Sequence, residues 1–277
     1  MDLLLALGIL MVSFLAGLTG SLFGIGGGVI IIPALTILFG LPLKEVIGAS
    51  LVGVIASSTG AASRYVGQGL VNIRLGMIME PATTLGSVVG ALLAIYLDQY
   101  VLAGVFAVVL VYSAYYMVKR PEVTVHATAK CHAFLAGRYD DPLTGKEVCY
   151  PVRNLGRGLL ASFAAGNLSG MLGVGGGVVK VPAMNVWMGV PIRAATATSN
   201  FMIGVTALAG AAVFYVNGLI SPVLAALVAV GAFAGSSLGP RLSKRTAGAT
   251  IRKYFAVLMV AIAILMALKA AGVEVGL

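Results

Sequence analysis

The chain has little charge, little cysteine and little histidine. Only 10% of its 277 residues are charged, nine of them acidic, where soluble domains carry about 25%. That deficit, with 60% hydrophobic residues and a mean hydropathy of +1.04, excludes an ordinary soluble domain and points to a membrane. Two cysteines, Cys131 and Cys149, are too few for a disulfide framework. They share the one long polar segment with His126 and His132, without a CxxC pair, so reduced cytosolic thiols and no metal site are expected. There is no GxxxxGK[ST] stretch and no HExxH stretch, so neither ATP hydrolysis nor zinc peptidase chemistry is expected. The N-terminus lacks the basic region of a signal peptide and runs on apolar past Leu22, which reads as an uncleaved first helix.

The net charge is +9, yet the basic residues fall in loops between apolar segments. This is the positive-inside pattern of a membrane protein rather than a nucleic-acid footprint. The chain is also a duplication. GIGGGVIIIPALTILFGLPLKEVIGAS from Gly24 to Ser50 recurs without a gap as GVGGGVVKVPAMNVWMGVPIRAATATS from Gly173 to Ser199. The constant offset of 149 positions pairs Pro33 with Pro182 and Ser50 with Ser199, and still holds at Gly86 and Gly235.

Apolar runs predict spans at about 3–22, 28–40, 46–66, 73–97 and 100–118, then 157–172, 177–189, 195–215, 219–240 and 252–270. The expected fold is an all-α integral membrane protein of about ten segments in two inverted repeats of five. Residues 1–118 form the first repeat, 119–156 a linker and 157–277 the second. The second span of each half is short, so it could cross or re-enter. Clusters of Lys and Arg at 119–157 and 241–253 place the central loop in the cytoplasm and both termini outside a cell membrane. Within the linker, Asp141 to Gly145 supplies turn residues between two strand-like runs, Ala133 to Tyr139 and Glu147 to Val152, which predicts a β-hairpin.

In lipid, broken helices are tolerated where they are buried in protein or line a water-filled cavity. The matched glycine runs, Gly24, Gly26, Gly27 and Gly28 with Gly173, Gly175, Gly176 and Gly177, therefore predict paired breaks at a shared centre. Such breaks aim half-helix N-termini at anionic groups in inverted-repeat transporters. Glycines also let helices pack closely. Lys180 follows the second run where the first has Ile31. A lysine inside a span either complements an anion or snorkels to the interface. Glu80 is either a coupling carboxylate or a partner for Arg74 or Arg64. Ser50, Ser199 and Asn200, the last standing opposite Leu51, could bind an oxyanion or bond helices together. The candidate site is these residues with a small anion as partner, in a lipid bilayer, with no nucleic acid and no cofactor. Small-residue faces at Gly86-x-x-x-Gly90 and Gly235-x-x-x-Gly239 allow contacts within a chain or in a homodimer.

GSLFGIGGGVIIIPAL with GLPLKEVIGASLV, and SGMLGVGGGVVKVPAM with GVPIRAATATSNF, resemble the doubled motif of the sulfite exporter TauE/SafE family. The resemblance covers nearly the whole chain. It implies a secondary carrier of sulfur-containing anions, such as sulfoacetate, other sulfonates or sulfite, exported by alternating access of the two repeats. An anion channel and a membrane-embedded enzyme acting on a small anion are the alternatives. An enzyme would have only Lys180, Glu80 and a few hydroxyls to work with.

Overall fold

The computed structural model describes residues 3–119, 134–140, 147–243 and 249–272. Each half has the same order of elements. Half one runs α1 (Leu3–Phe23), α2 (Gly28–Pro33), a π-helical segment (Ala34–Leu38), α3 (Leu43–Gly67), α4 (Ile73–Tyr96) and α5 (Gln99–Lys119). Half two runs α6 (Leu155–Leu172), α7 (Gly177–Pro182), a π-helical segment (Ala183–Trp187), α8 (Ile192–Val216), α9 (Pro222–Ser243) and α10 (Ala249–Ala270). Pro33 and Pro182 explain the change of winding after α2 and α7. Proline has no N–H to donate and crowds the preceding turn, so the ladder reopens with wider spacing.

The halves interlock. α1 packs on α9, and α6, the counterpart of α1, packs on α4, the counterpart of α9; α3 lies against α8, and α5 against α10. Glycine makes the interlock possible. A methyl on Gly235 would strike the carbonyl of Phe14, and one on Gly86 the carbonyl of Phe163. The GxxxG faces are thus occupied within the chain, helix backbone against helix backbone. Contacts climb in the same sense along α1 and α9, with Leu10 facing Gly231, Phe14 facing Gly235 and Ser21 facing Gly239. They do so along α6 and α4 as well, where Gly166 meets Thr83 and Gly170 meets Ser87. Both of these pairs are parallel.

Among the described residues, six helices are long and apolar enough to cross a membrane, against the ten segments expected from the sequence. α2 and α7 are too short, and α6 is diluted by Arg157, Asn167 and several glycines. Large apolar side chains such as Met11, Leu15, Leu85, Val108, Leu208 and Val230 are exposed around the helices, as a lipid-facing surface requires.

The linker hairpin is present, with β1 (Gly137–Asp140) antiparallel to β2 (Glu147–Tyr150). It is docked on the bundle. Tyr139 and Tyr150 are buried in one cluster with Met79, Val181, Met184 and Met188. Asn72, which caps α4 by accepting from the Leu75 N–H, donates to the Leu135 carbonyl at 3.1 Å. Arg74 lies over the Phe134 ring. Burial pushes the Tyr150 phenol up to about 12. Cys149 is not a free thiol, contrary to the expectation of reduced cysteines; Cys131, His126 and His132 lie outside the described residues.

Candidate functional site

The two glycine runs cross each other at the centre of the bundle. Gly24 and Gly173, both with positive φ (71° and 68°), end α1 and α6 and turn the chain back toward the middle. Their carbonyls then meet the opposite half. A methyl on Gly28 would collide with the Gly173 carbonyl oxygen, and one on Gly177 with that of Gly24. Ser50 donates to the Gly173 carbonyl at 3.0 Å, and Ser199 to the Gly24 carbonyl at 3.1 Å. Each half therefore satisfies the broken backbone of the other, as buried carbonyls require. Gly26 and Gly175 pack where the runs cross, Gly26 against the Val174 carbonyl. Gly27 and Gly176 precede α2 and α7, but with φ of −69° and +70°.

This geometry changes what several residues offer. A serine hydroxyl has one hydrogen, and those of Ser50 and Ser199 are spent on glycine carbonyls. The amide of Asn200 donates to the carbonyls of Ser21 at 3.2 Å and Thr196 at 3.1 Å, joining α8 to α1. All three are buried. Their bonds serve the crossing itself.

Lys180 is different. It is completely buried, so it does not snorkel to a surface. Its Nζ donates to Thr206 Oγ1 at 3.1 Å, and Thr206 Oγ1 lies 2.8 Å from Glu80 Oε1 and 3.2 Å from Thr83 Oγ1. Thr84 also donates to Glu80 Oε1, at 3.3 Å. The other carboxylate oxygen, Oε2, is buried without a hydrogen-bond partner. Glu80 thus has Lys180 as its electrostatic partner, while Arg74 is engaged by the segment leading into the hairpin. The sequence signals Lys180 and Glu80 as ionisable groups in apolar runs, but nothing in their spacing brings positions so far apart together. Thr206 was visible only as one of several hydroxyls on α8; Thr83 and Thr84 carried no signal of their own.

Beside the second break lies a small cleft, with a volume of about 10 Å³, lined by Phe23, Ile25, Ser113, Tyr116, Gly177 and Val178. Tyr116 reaches Asn185 in the second π-helical segment at 3.5 Å. Neither Ser113 nor Tyr116 stood out in the sequence. Among the described residues no group of three or more potential metal ligands occurs.

The family model described as "Sulfite exporter TauE/SafE" matches residues 9–266. The probable membrane transporter protein YunE of Bacillus subtilis is 27% identical over 88% of this chain and 90% of its own. A probable membrane transporter protein of Haemophilus influenzae is 28% identical over 94% of this chain and 97% of its own. The Arabidopsis thaliana protein named sulfite exporter TauE/SafE family protein 5 is 34% identical over 36% of this chain and 23% of its own. No solved structure matches significantly.

Proposed function

The chain belongs to the sulfite exporter TauE/SafE family, and on that premise we propose that it is a secondary transporter of a small sulfur-containing anion, a sulfonate such as sulfoacetate or sulfite itself, moved outward across the cell membrane. The observation that carries this reading is the crossing of two broken segments with a wholly buried lysine one turn beyond the second break. Irregular backbone at the interface of two repeats is where transporters of this architecture build their sites, and a buried cation there favours an anion. Substrate contacts come from Lys180 and the backbone of Gly24 to Gly28 and Gly173 to Gly177. Ser50, Ser199 and Asn200 become donors when the crossing opens.

The repeats are inverted in this proposal, and each contributes five segments. Parallel packing of α1 with α9, and of α4 with α6, supports it. α3 also climbs in parallel with α9, from Gly48 at Leu219 to Gly60 at Ser236. α8 climbs with α4, with Phe201 at Gly76 and Gly210 at Ser87. α3 meets α8 in the opposite sense, with Leu51 at Gly210 and Ser58 at Gly204. α1 and its counterpart α6 then point opposite ways. Rocking of one interlocked half against the other gives alternating access, with the basic linker on the cytoplasmic side. The chain performs no chemistry on its cargo.

Thermal unfolding of the detergent-purified protein across sulfite, sulfoacetate, sulfolactate, taurine, sulfate and acetate tests the substrate class. A ligand at 100 times its dissociation constant stabilises by about 2.7 kcal/mol. Stabilisation by a sulfonate or sulfite, followed by counterflow of the same anion in proteoliposomes, is the expected result. The absence of any anion effect in both assays would sink the reading.

A further inference from the structure

We infer that Glu80, Thr206 and Lys180 form a proton-coupling relay that makes transport an electroneutral cotransport of one proton with each monovalent anion. The proposal rests on the transport reading above and deepens it.

Thr206 has one hydroxyl hydrogen and two acceptor positions. Three acceptors lie within its reach, Glu80 Oε1, Thr83 Oγ1 and the Met202 carbonyl, and the first and last define two settings for that hydrogen. With Glu80 ionised, Thr206 accepts from Lys180 and donates to Glu80 Oε1, 2.8 Å away. With Glu80 carrying a proton, the Thr206 hydrogen turns to the Met202 carbonyl at 3.2 Å. The proton enters at Glu80 Oε2, the buried carboxylate oxygen without a hydrogen-bond partner. It leaves from the same atom on the other side of the membrane.

Charge balance links the proton to the anion. The ionised pair is neutral as a whole. Protonated Glu80 leaves Lys180 as a wholly buried cation without its counter-charge, a state too costly to hold in a membrane interior unless an anion joins it. Proton and anion are therefore admitted together, and the empty carrier returns with the pair neutral. Other charges nearby do not take over this role. Of the helices packed against α4, α6 carries Arg157, which is exposed, and α8 carries Arg193 in its first turn. Arg193 precedes Thr206 by about 20 Å of helix. On α4 itself, Arg74 is held by Phe134.

The test uses the full chain in proteoliposomes containing a pH-sensitive dye, with methanesulfonate as the probe, because its parent acid is too strong to carry a proton itself. The expected result is one proton moved per methanesulfonate, at a rate that a clamped membrane potential does not change. Glu80→Gln mimics the proton-bearing state. Its net proton-linked flux drops by about 100-fold or more, the range lost with a positioned proton-carrying side chain. Methanesulfonate flux without proton movement, or flux that follows the potential, overturns the relay and leaves the transport reading standing. So does proton movement retained in Glu80→Gln. If the wild-type protein moves none of methanesulfonate, sulfite or sulfoacetate, the transport reading fails and the relay with it. The stoichiometry in wild-type protein decides the matter even if the variant does not fold.

Discussion

The two glycine-broken segments share a backbone and differ in their side chains. Both turn at a glycine with positive φ, and both have a carbonyl capped by the opposite serine, a six-residue helix and a π-helical segment beginning right after a proline. Half one then has Ile31 where half two has Lys180, and Leu51 where half two has Asn200. The difference teaches that duplicated positions hold the scaffold, whereas the buried lysine and the buried asparagine stand where the copies diverged. A symmetric crossing needs the same small residues twice. A single charged centre needs its lysine once, because two buried cations at one crossing would repel each other.

The hairpin extends the asymmetry. It covers the α7 side of the bundle through Tyr139 and Tyr150. Among the described residues, the hairpin tyrosines share a cluster with Val181 of α7 and with Met184 of the π-helical segment that follows it.

The largest effect expected is at the shared part of the comparison. Gly28→Ala or Gly177→Ala drives a methyl into a carbonyl of the opposite half, and overpacking of that kind costs about 3 kcal/mol or more where backbone has to move. Loss of monodisperse protein in detergent is the expected outcome for both, while Gly156→Ala, with open space around it, behaves as wild type.

Next comes the divergent part. Lys180→Ile makes half two resemble half one and leaves Glu80 buried without its counter-charge, which costs about 3–5 kcal/mol. Transport is abolished, and the added Glu80→Gln substitution restores thermal stability without restoring flux. Recovery of flux in the double variant would remove Lys180 from the mechanism. Asn200→Leu copies Leu51 and deletes two bonds to α1 and α8 carbonyls, with an expected cost of about 1–3 kcal/mol by chemical denaturation.

Smaller and equal losses, about 1 kcal/mol each, are expected for Ser50→Ala and Ser199→Ala, since each removes one bond to a glycine carbonyl across the crossing. Unequal losses would show that the two halves bear the crossing differently. The smallest effect concerns the hairpin. Burial raises the Tyr150 phenol from 10.0 to about 12, with the hydrogen bond from Asn72 opposing that rise. The folded state therefore favours the neutral phenol. Its contribution is intact below pH 10 and is lost as pH rises toward 12. A stability profile of Tyr150→Phe should lack that alkaline decline.

Much of this was legible before the fold. The offset of 149 positions carries α2, both π-helical segments and α3 onto their counterparts with identical boundaries. Apolar runs located the remaining helices to within about three residues, and turn residues located the hairpin. The count of membrane-length helices was less legible, because α6 mixes Arg157 and Asn167 into its apolar run. At the site, the glycines and Lys180 were conspicuous for being costly in lipid. The roles of Ser50, Ser199 and Asn200 were not, because a hydroxyl or amide looks the same in a sequence whether its hydrogen goes to a ligand or to a carbonyl.

By itself the sequence determined the membrane setting, the duplication and the two breaks through composition and repetition, and the family through the resemblance of its doubled glycine motif, since all of these are properties of the chain alone. Only the tertiary structure decided that the breaks cross, that each is capped by the other half, and that Lys180 answers Glu80 through Thr206. Those contacts join positions 123, 175 and 126 residues apart, and no local propensity carries information over such a distance. Packing brings them together because buried carbonyls and charges must find partners where water is absent.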